Sequence, residues 1–147
     1  MILSASTLRK LKPVEPFCER AVFGGKSYGL SVAGYDIRIA HEVLLGPRGV
    51  CLAASLEKFC LPNNVLGLVK DKSSWARQGL SLFNTVLEPG WKGFLTLELA
   101  NLGPSLIPID AGSPIAQVLF FFTDAPTEGY SGKYQNQGPA PQPALFE

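Results

Sequence analysis

Residues 70–101 read KDKSSWARQGLSLFNTVLEPGWKGFLTLELAN, and this stretch decides both the expected fold and the candidate site. The run 94–101 alternates, so three leucines would lie on one face of a strand and Glu98 on the other. The turn signal EPGW at 88–91 precedes this strand and predicts a reversal of the chain. Such a turn is expected to bring Glu98 back toward the residues that open the stretch.

Those opening residues, Lys72, Ser73, Ser74 and Arg77, supply two cations and two hydroxyls. Serine is a favoured N-cap, so a short helix is predicted to begin here. Free N–H groups at a helix start, an Arg fork and a Lys charge all favour phosphate. The alternative is a capped surface turn with solvated charges, because short motifs often match by chance. By pattern alone, Glu98 is likewise typical of an exposed strand carboxylate.

Short apolar runs separated by turn residues recur along the rest of the chain. Strands are predicted at 35–40, 42–45, 50–54, 55–61, 65–70, 106–109 and 114–122. This rhythm is typical of an all-β sandwich or barrel. Near the start, Ser4 or Ser6 is expected to cap a helix that runs through Leu11 and stops before Pro13.

Composition bounds the class of protein. A chain of 147 residues with 46% hydrophobic content and mean hydropathy +0.16 builds one compact core. A net charge of +1 and a pI near 7.7 argue against binding to a nucleic acid polymer. Neither a signal core nor an apolar run of membrane-spanning length is present, so neither secretion nor a membrane span is expected.

The cysteines and the histidine argue against a metal site. Cys18, Cys51 and Cys60 are an odd number without C-x-x-C spacing, which is typical of reduced thiols in a cytoplasmic protein. His41 is the only histidine and has no nearby pair of cysteines. Within the strand 35–40, Asp36 is expected to be a structural ion-pair or turn partner.

The composition changes at Asp124 to Pro, Gly, Gln and Lys, so the chain divides into a β domain (1–123) and a C-terminal tail (124–147). By composition alone this tail is predicted to be disordered. Four residues interrupt the pattern and suit stacking, phosphate pairing and amide hydrogen bonding: Tyr130, Lys133, Tyr134 and Gln137.

Several motifs, taken together in order, resemble the dCTP deaminase family of the dUTPase superfamily. They are KSSWARQGL (72–80), EPGWKGFLTLELAN (88–101), IDAGSPIAQVLFFF (109–122) and GKYQNQGPAP (132–141). Upstream, MILSASTLRKL resembles the family's opening helix, and YGLSVAGYDIRIA resembles an early strand with a Tyr-Asp-x-Arg pattern. The resemblance covers most of the chain, and several motifs in one order are more specific than any one of them.

The resemblance implies a distorted jelly-roll or β-barrel of the dUTPase type, with a short N-terminal helix and a flexible C-terminal tail. It also implies a homotrimer with active sites at the subunit interfaces, and a tail that closes over bound nucleotide as a lid. The run 120–122 is Phe-Phe-Phe, which cannot lie on one side of a strand. At least one side of this strand must therefore meet another layer or another subunit.

The resemblance assigns roles to the candidate residues. Glu98 aligns with the family's catalytic glutamate and would carry protons during deamination of cytosine. Ser73 would hold the attacking water and Arg77 would orient and charge-balance the site. Glu88 stands where the family has an aspartate that contacts the sugar 3′-hydroxyl. The residues expected to bind substrate are Lys72, Ser73, Ser74, Arg77, Glu88, Tyr130, Lys133, Tyr134 and Gln137.

The expected reaction is hydrolytic conversion of dCTP to dUTP and ammonia, with Mg²⁺ arriving on the triphosphate. The zinc signature of other nucleobase deaminases, H-x-E with P-C-x-x-C, is absent, so no zinc is expected. Alternatives are a dUTP diphosphatase, a bifunctional enzyme, or a non-catalytic nucleotide-binding regulator. The segment 80–87 is shorter than in the bacterial deaminases, and 84–86 receive no role. Trp75 replaces a usual leucine and is expected to pack.

Overall fold

The computed structural model describes residues 1–146, which fold mainly into antiparallel strands. Within that range the helices are α1 (Ala5–Leu11) and α2 (Ser73–Ala76). The strands are β1 (Val14–Glu15), β2 (Ala21–Phe23), β3 (Lys26–Ser31), β4 (Gly34–Arg38), β5 (Val43–Leu45), β6 (Val50–Cys60), β7 (Val65–Asp71), β8 (Leu80–Leu82), β9 (Val86–Leu87), β10 (Lys92–Asn101), β11 (Ile107–Ile109) and β12 (Pro114–Phe122).

Two larger sheets share one core. The first has the order β2-β3-β4-β12-β7-β9 and the second has the order β1-β6-β10-β8, while β11 and β5 form a separate pair. A single cluster of buried apolar side chains draws on both larger sheets. Its fully buried members include Tyr35, Ile37, Phe59, Leu97, Leu99, Val118 and Phe120. The predicted all-β architecture is confirmed.

Strand β12 has the bounds that its sequence predicted, and it lies inside the six-stranded sheet between β4 and β7. Of the three consecutive phenylalanines, Phe120 is fully buried, Phe121 is half-buried and Phe122 is 39% exposed. The chain start lies alongside the end of this strand, since Ile2 pairs with Phe121. Another layer therefore covers Phe120, as the alternation of side chains requires.

The runs predicted at 50–54 and 55–61 form one strand, β6, and the division between them was wrong. Its pairing with β10 shifts register, so that Thr96 lies opposite Ala54 and Phe94 opposite Lys58. The Ser55 hydroxyl bridges this irregularity: it accepts from the Leu95 N–H (2.8 Å) and donates to the Glu57 carbonyl (2.7 Å). The strand continues because one side chain replaces the missing ladder bonds.

Helix α1 confirms the predicted N-terminal helix. Ser4 is its N-cap, Leu8 is fully buried, and Lys12 ends it in the left-handed conformation with φ of 47°. Pro13 follows at once and cannot continue a helix.

The tail lies on the body of its own chain as far as Gln142, whose N–H donates to the Thr96 hydroxyl. Gln137 forms a parallel bridge with Gly93, and the Phe94 N–H donates to the Gln137 carbonyl at 3.0 Å. The Asn136 N–H donates to the Lys92 carbonyl at 2.8 Å. Main-chain bonds of this kind do not depend on apolar content, which is why composition predicted disorder here. That the tail opens and closes stays a prediction.

Candidate active site

A cavity of about 610 Å³ lies where the chain passes from one sheet to the other. Strand β8 pairs with the last residues of β10, Leu99 to Asn101. After Phe83 the chain no longer runs beside β10. It crosses to the other sheet, where β9 pairs with Gly67 and Leu68 of β7. This crossing opens a space beside β10 that side chains do not fill.

Glu98 lies on the wall of this cavity contributed by β10, and its side chain is half-buried. It pairs across the sheet with Leu52, which is 40% exposed, and the next residue on that face of β6, Val50, is 65% exposed. The carboxylate therefore shares its wall with apolar side chains. The side chain is thus less exposed than the pattern alone predicts for a strand carboxylate.

Two hydrogen bonds hold the main chain of Glu98, one from a backbone group and one from a side chain. Its carbonyl accepts from the Phe83 N–H at 2.9 Å, and its N–H donates to Oδ1 of Asn84 at 2.8 Å. Nδ2 of Asn84 in turn donates to the Thr96 carbonyl at 2.7 Å. Sequence reasoning gave Asn84 and Thr96 no role, because bonds between a side chain and a distant main chain leave no periodic signal.

The turn at 88–91 places both Glu88 and Trp91 on the cavity. The Trp91 N–H donates to the Glu88 carbonyl at 3.1 Å, and Gly90 adopts φ of 80°, a left-handed conformation that suits glycine. Trp91 is only 5% exposed and packs on Phe59, with ring centroids 5.8 Å apart. A rigid turn thus carries the Glu88 side chain at the cavity edge.

Three of the predicted tail residues, Tyr130, Tyr134 and Gln137, also line the cavity. Gln137 Oε1 accepts from the Thr96 hydroxyl at 3.2 Å, beside Glu98 on the same face of β10. Lys133 is exposed, and its ammonium lies 5.5 Å from the centre of the Tyr134 ring rather than on the cavity wall. The structure therefore brings together Glu98, Glu88 and most of the predicted tail residues.

Gln135, which the sequence did not single out, anchors the tail. Its Oε1 accepts from the Lys92 N–H at 2.7 Å, and its Nε2 donates to the carbonyls of Gly90 (3.0 Å) and Tyr130 (2.7 Å). The Trp91 indole N–H donates to the Tyr134 carbonyl at 2.7 Å. Side-chain amides thus attach the tail to the turn that carries Glu88.

The turn formed by Lys72, Ser73, Ser74 and Arg77 does not line this cavity. The predicted reversal at 88–91 is present, yet it does not bring these four residues into the space beside Glu98. Ser73 and Arg77 are exposed and Ser74 is half-buried. Within one chain, the proposed phosphate turn and the proposed catalytic carboxylate are therefore separate.

The predicted serine N-cap is wrong. Lys72 occupies the N-cap of α2 with extended dihedral angles, and its carbonyl accepts from the N–H groups of Trp75 and Ala76. Ser73 is consequently the first helical residue. The Lys72 ammonium lies 3.1 Å from Oδ2 of Asp36, which confirms the structural ion pair expected of Asp36. Burial raises the pKa of the Asp36 carboxyl, and the Lys72 charge opposes that shift.

A second buried ion pair lies next to this one and was not predicted. Glu57 is fully buried and accepts from both the Arg38 N–H and Nε at 2.8 Å. Burial raises the pKa of the Glu57 carboxyl, against the effect of the Arg38 hydrogen bonds. Neither residue lines the cavity, so the pair joins β4 to β6 as a structural contact.

Trp75 packs, as expected. It is 5% exposed, its indole N–H donates to the Pro114 carbonyl at 2.7 Å, and the Lys26 ammonium lies 4.3 Å from its ring centre. These contacts attach α2 to β12 and β3. Trp75 does not line the cavity.

Within residues 1–146, no group of three His, Cys, Asp or Glu side chains is close enough to hold a metal ion. Cys18, Cys51 and Cys60 are free thiols. In the same range, no helix has the length and apolar character that crossing a membrane requires.

Comparison with known proteins gives matches over most of the chain. The family model described as dCTP deaminase-like matches residues 31–123. The dCTP deaminase of Herpetosiphon aurantiacus is 37% identical, over 84% of this chain and 86% of that protein.

Two solved structures share the fold. The 2′-deoxycytidine 5′-triphosphate deaminase of Agrobacterium tumefaciens aligns with a TM-score of 0.67 at 17% identity, over 81% of this chain and 48% of that one. The native EIAV dUTPase aligns with a TM-score of 0.57 at 22% identity, over 69% of this chain and 85% of that one. The predicted dUTPase-like fold is thereby confirmed.

Proposed function

Because the chain belongs to the dCTP deaminase-like family, we propose that it hydrolyses dCTP to dUTP and ammonia. The observation that carries this proposal is the position of Glu98, a half-buried carboxylate on the wall of a nucleotide-sized cavity. A carboxylate in such a place suits proton transfer, since a group that gives and takes protons must reach the reacting atoms.

In the proposed reaction a water oxygen forms a bond to C4 of the cytosine ring. Glu98 takes a proton from that water and delivers it to the ring nitrogen N3. Glu98 then takes the second proton, from the new hydroxyl on C4, and passes it to the amino group, and the bond between C4 and that nitrogen breaks to release ammonia. The remaining oxygen becomes the C4 carbonyl of uracil, so that one water is consumed and one ammonia released.

Residues around Glu98 suit the remainder of the substrate. Glu88 at the cavity edge would accept from the sugar 3′-hydroxyl. Tyr130, Tyr134 and Gln137 would cover the nucleotide from the tail, and Lys133, which is exposed beside Tyr134, would reach its phosphates. The triphosphate would bring Mg²⁺ with it, since Mg²⁺ binds phosphate oxygens and keeps several waters.

The proposed functional unit is a homotrimer whose sites combine residues of two subunits. Ser73, Ser74 and Arg77 lie outside the cavity of their own chain, and Ser73 and Arg77 are exposed. Apolar side chains near the cavity are also exposed, among them Val50, Leu52 and Phe83. A second copy that covers this surface would bring its own phosphate turn to Glu98.

Product analysis tests the activity. The protein is incubated with dCTP, dCDP, dCMP, 5-methyl-dCTP and dUTP in the presence of Mg²⁺, and nucleotides and ammonia are quantified. We expect dUTP and ammonia from dCTP in equal amounts. Release of pyrophosphate would indicate the diphosphatase or bifunctional alternative, and binding without any product would indicate the regulatory alternative.

The same assay tests zinc independence. We expect full deamination after exhaustive zinc chelation once Mg²⁺ is restored, because the sequence lacks the zinc signature. Stoichiometric zinc in the purified protein, with reversible loss of activity on its removal, would contradict this. A cytoplasmic location is also proposed, because the three cysteines are free thiols and free thiols are typical of a reducing compartment.

Mixed trimers test whether sites are shared. Glu98→Gln and Arg77→Ala subunits are each expected to be inactive alone. Co-expressed with different tags and purified as mixed trimers, they should regain activity, because some interfaces join an intact Glu98 to an intact Arg77. Mixed trimers as inactive as both parents would show that each site lies within one subunit.

A further inference from the structure

Asn84 lies between β8 and β9, at the point where this segment stops running alongside β10. Strand β8 supplies a backbone partner for Leu99, Ala100 and Asn101, and the Phe83 N–H extends that pairing to the Glu98 carbonyl. From residue 84 onward the backbone diverges toward β7, where the Thr85 carbonyl accepts from the Val69 N–H at 3.4 Å. On this edge of β10, the backbone from Glu98 back toward Thr96 therefore has no strand beside it at the cavity.

The side-chain amide of Asn84 replaces that missing backbone. Oδ1 accepts from the Glu98 N–H at 2.8 Å and Nδ2 donates to the Thr96 carbonyl at 2.7 Å. A side-chain amide presents a carbonyl acceptor and N–H donors in one plane, so it can satisfy the Glu98 N–H and the Thr96 carbonyl at once. Both atoms are used within the chain, and the side chain is half-buried.

We propose that Asn84 is a positioning residue for Glu98: it holds the main chain of Glu98 on the edge of β10 that faces away from β6, where the pairing with β8 has ended. This inference rests on the proposed proton-transfer role of Glu98. The two bonds span the residues on either side of Leu97, so they fix the direction in which the Glu98 side chain leaves the strand. A displacement of this side chain by about 1 Å can lower turnover by about 10²-fold.

The same contact reaches the tail. Thr96 is 9% exposed, and its hydroxyl both donates to Gln137 Oε1 at 3.2 Å and accepts from the Gln142 N–H at 2.9 Å. Asn84 therefore holds the main chain of a residue whose side chain receives the tail. The tail contacts use the Thr96 hydroxyl and not the carbonyl that Asn84 holds, so they should survive the loss of the Asn84 amide.

Two variants test the proposal. Asn84→Ala removes both bonds, and Asn84→Asp keeps the shape and the acceptor for the Glu98 N–H while losing the donor. We expect the Ala variant to lower kcat for dCTP by about 10- to 100-fold with KM changed less than about threefold. The Asp variant should lie between wild type and Ala. It also keeps the test open if the Ala variant does not fold.

Ser81→Ala is the matched control. Its hydroxyl also makes side-chain hydrogen bonds from the same hairpin, to Asp71 at 3.2 and 3.4 Å, but it does not touch β10 beside Glu98. We expect wild-type kcat and KM from it. If KM rose as much as kcat fell in the Asn84 variants, or if kcat were unchanged in a folded Asn84→Ala protein, the positioning role would be wrong.

Amide hydrogen exchange separates this proposal from the proposed function. In the wild type the Glu98 amide should be protected, and in Asn84→Ala its protection should fall while that of Ala100, within the β8 pairing, is kept. This readout needs no turnover, so it holds even for a protein that does not deaminate dCTP. Unchanged protection of the Glu98 amide would overturn the proposal, whereas retained deamination by Glu98→Gln would overturn only the role of Glu98.

Discussion

The Lys72 ammonium lies 3.1 Å from the Asp36 carboxylate, and the two side chains are only 9% and 10% exposed. The ammonium also lies 3.5 Å from the Ser27 hydroxyl, which approaches the same carboxylate. A cation held in this way is not a free ligand on the surface. Lys72 therefore links the start of α2 to β3 and β4, and any contribution to phosphate binding comes from a charge that Asp36 already balances.

Lys72→Ala should therefore destabilise the fold as well as weaken substrate binding. Removing the ammonium leaves the Asp36 carboxylate buried without its partner, which typically costs about 3 kcal/mol or more. Arg77→Ala, at an exposed position of the same turn, should change the free energy of unfolding by less than about 0.5 kcal/mol while activity falls. Urea unfolding and dCTP kinetics on both variants measure this contrast. Equal stability of the two variants would show that the Lys72 pair contributes little.

Arg77→Lys tests whether geometry or charge matters at the phosphate turn. A guanidinium can bridge a phosphate and a second oxygen through its planar fork, whereas an ammonium is a single point charge. We expect kcat/KM for dCTP to fall by at least about 10-fold with the fold unchanged. The kinetics are compared with those of Arg77→Ala. Wild-type kinetics in the Lys variant would return Arg77 to the alternative of a solvated surface charge.

Truncation after Asp124 should leave a folded protein with little turnover. The tail supplies Tyr130, Tyr134 and Gln137 to the cavity but no residue of the fully buried core. It also covers Trp91, so the indole N–H that donates to Tyr134 would be exposed to water. We expect a red shift of tryptophan emission, because Trp91 becomes exposed. Trp75 should not contribute to the shift, because its indole N–H donates to Pro114 and not to the tail.

Circular dichroism and deamination assays complete that experiment. Loss of the β-sheet signal would show that the tail is part of the folding core, and full activity would show that it is not a lid. Unshifted emission in an inactive, folded protein would mean that Trp91 is covered by something other than the tail.

Most of the fold could be predicted from the sequence, because alternation and turn signals are local. The bounds of β12 could be predicted from its apolar run between two turns. The continuity of β6 could not, because it depends on the Ser55 hydroxyl meeting the Leu95 N–H from another strand. A serine in an apolar run reads as an interruption unless its distant partner is known.

The site divides in the same way. Glu98 and Glu88 could be found from motifs, and the structure places both on one cavity with Tyr130, Tyr134 and Gln137. The roles assigned to these residues stay predictions. The separation of Arg77 from Glu98 could not be read from the sequence, since the path of the chain between the sheets determines it. The contacts of Asn84 could not be predicted either, because its two partners lie 12 and 14 residues away in the sequence.

Glu98→Gln is the sharpest test of the proposed chemistry. The substitution keeps the size and shape of the side chain but removes its ability to take up and release a proton. The Asn84 bond to the Glu98 N–H is a main-chain contact, so it should survive the change and hold the amide where the carboxylate was. Binding of dCTP should also survive, because the phosphates would be held at the turn of Ser73 and Arg77.

Turnover should not survive. A single group of this kind typically contributes a factor of about 10² to 10⁴, and one that serves several proton transfers should lie near the top of that range. The expected pattern is therefore a large fall in kcat with nearly unchanged affinity. Equilibrium dCTP binding and single-turnover ammonia release, measured on the same variant, decide the matter. Retained deamination would remove Glu98 from the mechanism, and lost binding in a folded protein would make it a substrate-holding residue instead of the proton carrier.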